Sequence, residues 1–313
     1  MGRCLYRQVS LFNYSYLHLF HTHDSTTIGS QVTRTISYSE LFTWDSCERQ
    51  YYYMYDRNLR PQHMSDPMTT GTKGHRLLQS FYEALREGDT KEEAQHRTRI
   101  KAQAMISTEN ISEVGTLLTS WTLVDNYIRD TDFFPEAVLV ENRFLIPLSI
   151  FTDDPNLADV QVGFTPDVVF ERKGGFFDVE DAKFVGRAWS AKKLNRFPQA
   201  KLYQIFLNAM GYNVTRTIVR FFNTKTGKVN AQNYTLKSGE EDILIRDFIN
   251  AVREVLAFRE QYEFARSEAR RTMNYSTCQY CFFEAPCSLE AEGKDASKTL
   301  AYEFVKSDYD YNS

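Results

Sequence analysis

Net charge is nearly absent from this chain: 37 Lys and Arg against 41 Asp and Glu leave −4 over 313 residues. That excludes a globally basic nucleic-acid coat, so any affinity for polyanions must come from a local patch. Long apolar runs are also missing, and none approaches the roughly 18 residues of a membrane-spanning helix. We therefore expect a soluble, intracellular protein with no membrane partner. Cysteine numbers only five, an odd count that excludes a framework made purely of disulfides and suits a reducing compartment. No low-complexity linker or internal repeat divides the chain. What is plentiful is aromatic. The 23 Phe and 19 Tyr, in a chain 42% hydrophobic and 25% charged, suit a large packed interior with stacking surfaces.

Four of the few cysteines are placed as if to converge. Cys278, Cys281 and Cys287 form a C-x₂-C-x₅-C run, and Cys47 lies far upstream in S-C-E-R-Q-Y-Y-Y. A C-x₂-C pair puts two thiolates on one tight turn, which suits a tetrahedral metal or one edge of an iron–sulfur cube. With Cys47 included, such a centre staples the two ends of the domain together. Spacing alone does not separate structural zinc from a [4Fe–4S] cluster. The fifth cysteine, Cys4, lies in the first 34 residues, where Asp24 is the single acid beside Arg3, Arg7 and Arg34. We read residues 1–34 as an extension outside the domain, with a mitochondrial transit segment as the alternative to a cytoplasmic or nucleoid-associated protein. The domain proper is expected over 35–290, followed by an acidic tail from 291 to 313.

The first half reads as helical. Ser37-Tyr38-Ser39-Glu40 has the form of a capping box, as does Thr90-Lys91-Glu92-Glu93. Apolar spacing predicts helices over 73–86 and 112–130. From Pro135 the texture changes to strands, predicted over 137–150, 160–170 and 176–184, with a hairpin tip at Arg172-Lys173-Gly174-Gly175. A helix over 198–210, a strand over 215–222 and a long helix from 240 to about 265 complete the prediction, an α/β fold with a helical N-terminal insertion.

The hairpin carries the chemistry. Asp167 follows Pro166 on its first strand, and Asp181-Ala182-Lys183 lies on its second. Strand residues two apart share a face, so Asp181 and Lys183 point the same way, and pairing across the hairpin can bring Asp167 beside them. Two carboxylates on one face repel and favour a divalent cation between them. A neighbouring lysine can orient an attacking water or meet charge developing on a phosphate. Immediately downstream, residues 182–201 contain no acid but carry Lys183, Arg187, Lys192, Lys193, Arg196 and Lys201, with Trp189 and Phe197 interleaved. Such a loop can neutralise phosphates and stack bases, at about 1–3 kcal/mol per stacked base.

Pro166-Asp167 followed by Asp181-x-Lys183 resembles the PD-(D/E)XK nuclease superfamily. Gly71-Thr72-Lys73-Gly74-His75 and Gln199-Ala200-Lys201-Leu202-Tyr203 are similar to the G-T-x-x-H and Q-x₃-Y motifs of its RecB-like branch. The four-cysteine layout resembles the iron–sulfur subset, which includes the AddB nuclease domain, the exonuclease V family and CRISPR-associated RecB-like nucleases. The resemblance implies a restriction-endonuclease-like core, a mixed central sheet flanked by helices, closed by a C-terminal cysteine knuckle. It implies Mg²⁺ or Mn²⁺ held by His75, Asp167, Asp181 and the Ala182 carbonyl, with Lys183 activating water and Gln199 and Tyr203 facing the substrate strand. It favours a [4Fe–4S] cluster on Cys47, Cys278, Cys281 and Cys287, and a deoxyribonuclease, an exonuclease on single-stranded DNA or DNA ends, in repair, recombination or phage- and CRISPR-related processing. The alternatives are a structure-selective endonuclease and a non-catalytic DNA-binding adaptor that keeps the fold. A helicase, recombination or single-strand-binding protein is the expected partner. Two positions depart from the family pattern: Glu180 replaces an apolar strand residue, and Phe184 stands where a threonine commonly follows the lysine.

Overall fold

The computed structural model describes residues 34–195 and 198–307. Its centre is a mixed five-stranded sheet of order β3-β6-β7-β8-β9, formed by β3 (Glu136–Val140), β6 (Val168–Arg172), β7 (Phe176–Val185), β8 (Val214–Asn223) and β9 (Val229–Tyr234). Within this sheet only β7 and β8 run parallel, so the chain must cross over between them, which it does through α6 (Ala191–Asn195) and α7 (Gln199–Ala209). A second sheet of order β1-β5-β4 comprises β1 (Arg34–Ser37), β5 (Val160–Phe164) and β4 (Phe144–Pro147).

Helices cover both faces of the central sheet. On one, α3 (Asp66–Arg86), α4 (Lys91–Thr108) and α5 (Ile111–Asp130) bury Leu77, Phe81 and Val124 against Ala137, Phe170, Ala182 and Phe222. On the other, α7 and α8 (Glu240–Arg259) bury Phe206, Phe248 and Val252 with Val169 and Val179. Strands covered on both faces need near-continuous apolar runs, and β8 supplies one in Ile218, Val219, Phe221 and Phe222.

Several expected elements divide. The long strand over 137–150 is β3 and β4, which belong to different sheets, because Glu141 takes a left-handed φ of 48° between them. The strand over 160–170 breaks into β5 and β6 around Pro166, which cannot donate a ladder hydrogen bond. The helix of the G-T-x-x-H segment starts seven residues early, at Asp66 rather than 73, with Pro67 in the first turn where a missing N–H costs nothing. The Thr90 capping box closes in both directions. Ser37, by contrast, only accepts from the Glu40 N–H, at 3.2 Å, while the Glu40 carboxylate turns inward to Tyr51 and Arg259.

The acidic tail expected from 291 is corrected. Residues 297–306 form α12 (Ser297–Glu303) and β10 (Phe304–Lys306), and β10 pairs antiparallel with β2 (Leu59–Pro61). Phe304 is 5% exposed and stacks on Phe283 with centroids 4.6 Å apart, so this segment is part of the packed domain. Of the extension expected over 1–34, residues 1–33 lie outside the described residues, and Arg34 belongs to β1.

Candidate active site

The hairpin register places the site. Val168 pairs with Glu180, so the next step of the ladder sets Asp167 beside Asp181, just where β6 ends and the two chains diverge. The backbone N–H of Ala182, released from strand pairing on that side, donates to Asp167 Oδ2 at 2.5 Å. His75 arrives from α3, with Nδ1 3.3 Å from Asp167 Oδ1. That helix is fixed from behind by the buried Lys73, which reaches Glu113 at 2.8 Å and Glu109 at 3.0 Å on and just before α5. Asp181 and Lys183 share a face as alternation requires, and Lys183 Nζ donates to Asp181 Oδ1 at 2.9 Å. The line continues through Lys183 to Gln199 Oε1 at 3.3 Å, and from Gln199 Nε2 to the Tyr203 hydroxyl at 2.8 Å, one turn along α7.

One member escaped the sequence reading. Glu141 Oε1 lies 3.9 Å from His75 Nδ1, and ligand atoms of His75, Glu141 and Asp167 all fall within 4.8 Å of one another. Its positive φ is uncommon for a non-glycine residue and is held by a hydrogen bond from its N–H to the Asp167 carbonyl at 2.9 Å. The readable signal was the interruption Glu141-Asn142-Arg143 within an otherwise apolar strand pattern.

The electrostatics of the cluster are divided. Burial raises the Asp181 carboxyl, an effect that Asp167 strengthens and Lys183 opposes. Burial works the same way on Asp167, but the adjoining His75, Lys183 and the Ala182 N–H outweigh it and keep that carboxyl below its usual range. Burial also disfavours the charged forms of His75 and Lys183, yet their carboxylate neighbours raise both pKa values. Glu141 is pushed up to about 7, first by burial and then by Asp167. His75, Glu141 and Asp167, with the Asp181 carboxylate beside Asp167 and paired to Lys183, form an oxygen-rich donor set that fits a hard divalent cation with tolerance for one nitrogen.

The two departures both point away from this cleft. Glu180 lies on the opposite face, where Arg220 clasps both its oxygens at 2.6 Å. Phe184 lies against α3: its ring is 5.6 Å from that of His75, and a Cβ on Gly74 would sit 2.1 Å from it. Only glycine at 74 lets this aromatic ring lie beneath the histidine.

Of the expected DNA-contacting side chains, Arg187, Lys192 and Lys193 are exposed. Trp189 is half-buried, with its ring against Phe221 and the Lys193 ammonium 4.1 Å from its centroid. Lys201 is a correction: it is 5% exposed and bonded to Glu240, so it faces the interior and not a nucleic acid. Its place on the Q-x₃-Y helix turns it opposite to the cleft. Arg196 lies outside the described residues.

The four cysteines do meet. Cys47, Cys278, Cys281 and Cys287 line one cavity of about 200 Å³ together with Arg49, Tyr53 and Arg271. Among the described residues, no three of the four sulfurs lie within 4.8 Å of one another. The Thr272 N–H points at Cys47 Sγ at 3.4 Å. Burial raises the Cys281 thiol to about 11, and the other three thiols add to that.

A carboxylate cleft backed by an ammonium, at the open end of a hairpin, suits metal-dependent phosphodiester hydrolysis. The chain belongs to the PD-(D/E)XK nuclease superfamily, which it matches over residues 35–288; the mixed sheet between helices is its restriction-endonuclease-like core. Among solved structures, the crystal structure of SSO0001 is similar at 12% identity over 83% of this chain and 87% of that one, with a TM-score of 0.39. No curated protein is matched. Among the described residues, no helix is long and apolar enough to cross a membrane.

Proposed function

We propose that this nuclease degrades single-stranded DNA from its ends, using Mg²⁺ or Mn²⁺, with a [4Fe–4S] cluster clasping the domain. The observation that carries the reading is the joining of His75, Glu141 and Asp167 to the Asp181–Lys183 pair in one cleft. When bound there by His75, Asp167, Asp181, the Ala182 carbonyl and Glu141, the cation supplies a Lewis acid for a phosphoryl oxygen and a more acidic water. The chain's own groups do the rest. Lys183 is held protonated by Asp181 and Asp167, so it enters as an ammonium that orients water or meets negative charge on the phosphate. Gln199 holds that ammonium toward the cleft and is itself held by Tyr203. Burial and Asp167 push the cation-free Glu141 carboxyl up to about 7, so binding a cation there would release a proton. Arg187, Lys192 and Lys193 supply phosphate contacts along the incoming strand.

For the cysteines, the shared cavity and the order of motifs favour iron over zinc. A cavity of about 200 Å³ and an N–H directed at a sulfur suit the larger cluster. The order of motifs between the cysteines supports the RecB-like iron–sulfur branch, intracellular DNA repair, recombination or phage- and CRISPR-related processing, and a helicase, recombination or single-strand-binding partner.

The test is anaerobic purification with iron, sulfide and zinc analysis, followed by digestion of end-labelled linear and circular single strands. The expected result is iron with acid-labile sulfide, and cation-dependent loss of linear strands while circles survive. Nicked circles would replace the exonuclease with an endonuclease. DNA binding without cleavage would make the protein an adaptor, and one zinc per chain would overturn the cluster.

A further inference from the structure

Beside the catalytic cleft lies a second cavity that the hydrolytic chemistry does not use. It has a volume of about 240 Å³ and is walled by Thr35, Ser37, Tyr38 and Ser39 on one side, by Arg143, Gly163, Phe164 and Thr165 on another, and by Gln199 and Tyr203. The last two are the side chains that hold Lys183, so the pocket begins one side chain from the catalytic ammonium. Its volume falls below the roughly 300–1,000 Å³ of pockets for drug-sized ligands. One nucleotide unit suits it; a duplex does not.

The lining chemistry is that of a nucleotide. A Cβ at Gly163 would meet the Thr35 methyl at 3.2 Å, Leu145 at 3.6 Å and an Arg143 guanidinium nitrogen at 3.9 Å, so the guanidinium lies over this part of the sheet. The first turn of α1 (Tyr38–Ser46) ends at the same cavity, and its positive dipole end adds to the arginine in favouring an anion. The Glu40 carboxylate, although part of the wall, is neutralised by Arg259 and Tyr51. Phe164 is fixed by stacking on Phe144, with centroids 5.3 Å apart, and by Tyr203 at 5.9 Å, which gives a rigid apolar surface. A cation, a helix start, hydroxyls from Ser37, Ser39 and Thr165, and a fixed aromatic floor are the groups that hold a phosphate, a sugar and a base.

We propose that this pocket seats the terminal nucleotide of a single strand next to the scissile phosphodiester, with Arg143 as its phosphate ligand. The proposal rests on the exonuclease reading and deepens it: a pocket sized for one nucleotide selects ends.

The test is calorimetric titration of the purified full chain, without added divalent cation, with 5′- and 3′-deoxynucleoside monophosphates. Wild type, Arg143→Ala, Arg143→Lys and Ser39→Trp, the last filling the cavity from its exposed rim, are compared. The expected result is binding of one of the two isomers, weakened about tenfold to a hundredfold in Arg143→Ala, the loss of one charge-assisted hydrogen bond. Arg143→Lys recovers part of it and Ser39→Trp abolishes it. On single-stranded DNA the Arg143→Ala defect falls on KM rather than on kcat. Wild-type protein that binds neither isomer, or variants that bind as wild type does, would overturn the pocket. If the wild type degrades linear strands but binds no nucleotide, the pocket fails alone; if it binds nucleotides but cleaves nothing, the nuclease reading fails and the pocket stands.

Discussion

Glu180 and Asp181 are consecutive carboxylates on β7, 1% and 2% exposed, and the fold treats them oppositely. Glu180 faces α3 and α5, where Arg220 grips both oxygens at 2.6 Å and itself lies 4.6 Å from the centre of the Tyr127 ring, with the Tyr82 hydroxyl 3.4 Å from the carboxylate. Every strong partner is built in, and Arg220 is raised further above its already high pKa, burial being outweighed by Glu180. Asp181 faces the cleft. Its counter-charge is the long side chain of Lys183, still 21% exposed; Nζ stands 2.8 Å from Oδ2, yet that oxygen has no directed hydrogen bond. A saturated buried pair fixes a structure, whereas an under-satisfied one keeps ligand capacity in reserve.

The sharpest way to break this comparison is to remove each side in turn. Asp181→Ala should lower cation-dependent cleavage by about 10³-fold or more, the several kcal/mol that a bound cation supplies, while cooperative unfolding and bound iron persist. Full activity in that variant would remove Asp181 from the chemistry. On the opposite face, Arg220→Ala should destabilise by about 3–5 kcal/mol, because it strands a buried carboxylate. Denaturant melts measure that, and the folded fraction should still cleave. Replacing both partners, as Glu180→Met with Arg220→Met, should restore most of the stability. An Arg220→Ala protein that is stable but inactive would place the pair in the catalytic machinery.

How much of this was legible follows from the range of the interactions. Asp167, Asp181 and Lys183 could be aligned from the sequence because strand alternation and a short hairpin are local rules. Glu141 was marked only by the polar break Glu141-Asn142-Arg143, and its reach into the cleft depends on its left-handed backbone, which passes the chain from one sheet to another. The edge strand β9, Val-Asn-Ala-Gln-Asn-Tyr, has little apolar alternation to betray it. The pairing of β10 with β2 joins residues some 240 positions apart through three residues each, and no periodicity can announce so short a ladder. The C-x₂-C-x₅-C run was readable from spacing, because a C-x₂-C turn has few other uses, whereas Cys47, far upstream, was joined to it by the resemblance to the iron–sulfur subset.

Phe184 tests whether the two faces of β7 are independent. It belongs to the structural face, yet its ring supports His75 and excludes any side chain at 74. Gly74→Ala should therefore cost about 1–3 kcal/mol by overpacking. It should also reduce cleavage by about 10²-fold, the effect of displacing one catalytic group by an ångström. Adding Phe184→Ala to it restores the space, and stability should recover more than activity, because the histidine then loses its support. Equal recovery of both would mean that the ring fills volume without aiming His75.

The smallest effect separates two lysines nine residues apart. Lys192 is exposed on α6, whereas Lys201 is buried against Glu240 on the far side of α7. Deleting one cation that neutralises a phosphate of single-stranded DNA lowers the slope of log affinity against log salt by about 0.7. Lys192→Met should show that reduction with no change in unfolding. Lys201→Met should leave the slope alone and lower the unfolding midpoint, since it uncouples α7 from the start of α8. A salt slope that changes with Lys201 would return that residue to the nucleic-acid surface from which its burial removes it.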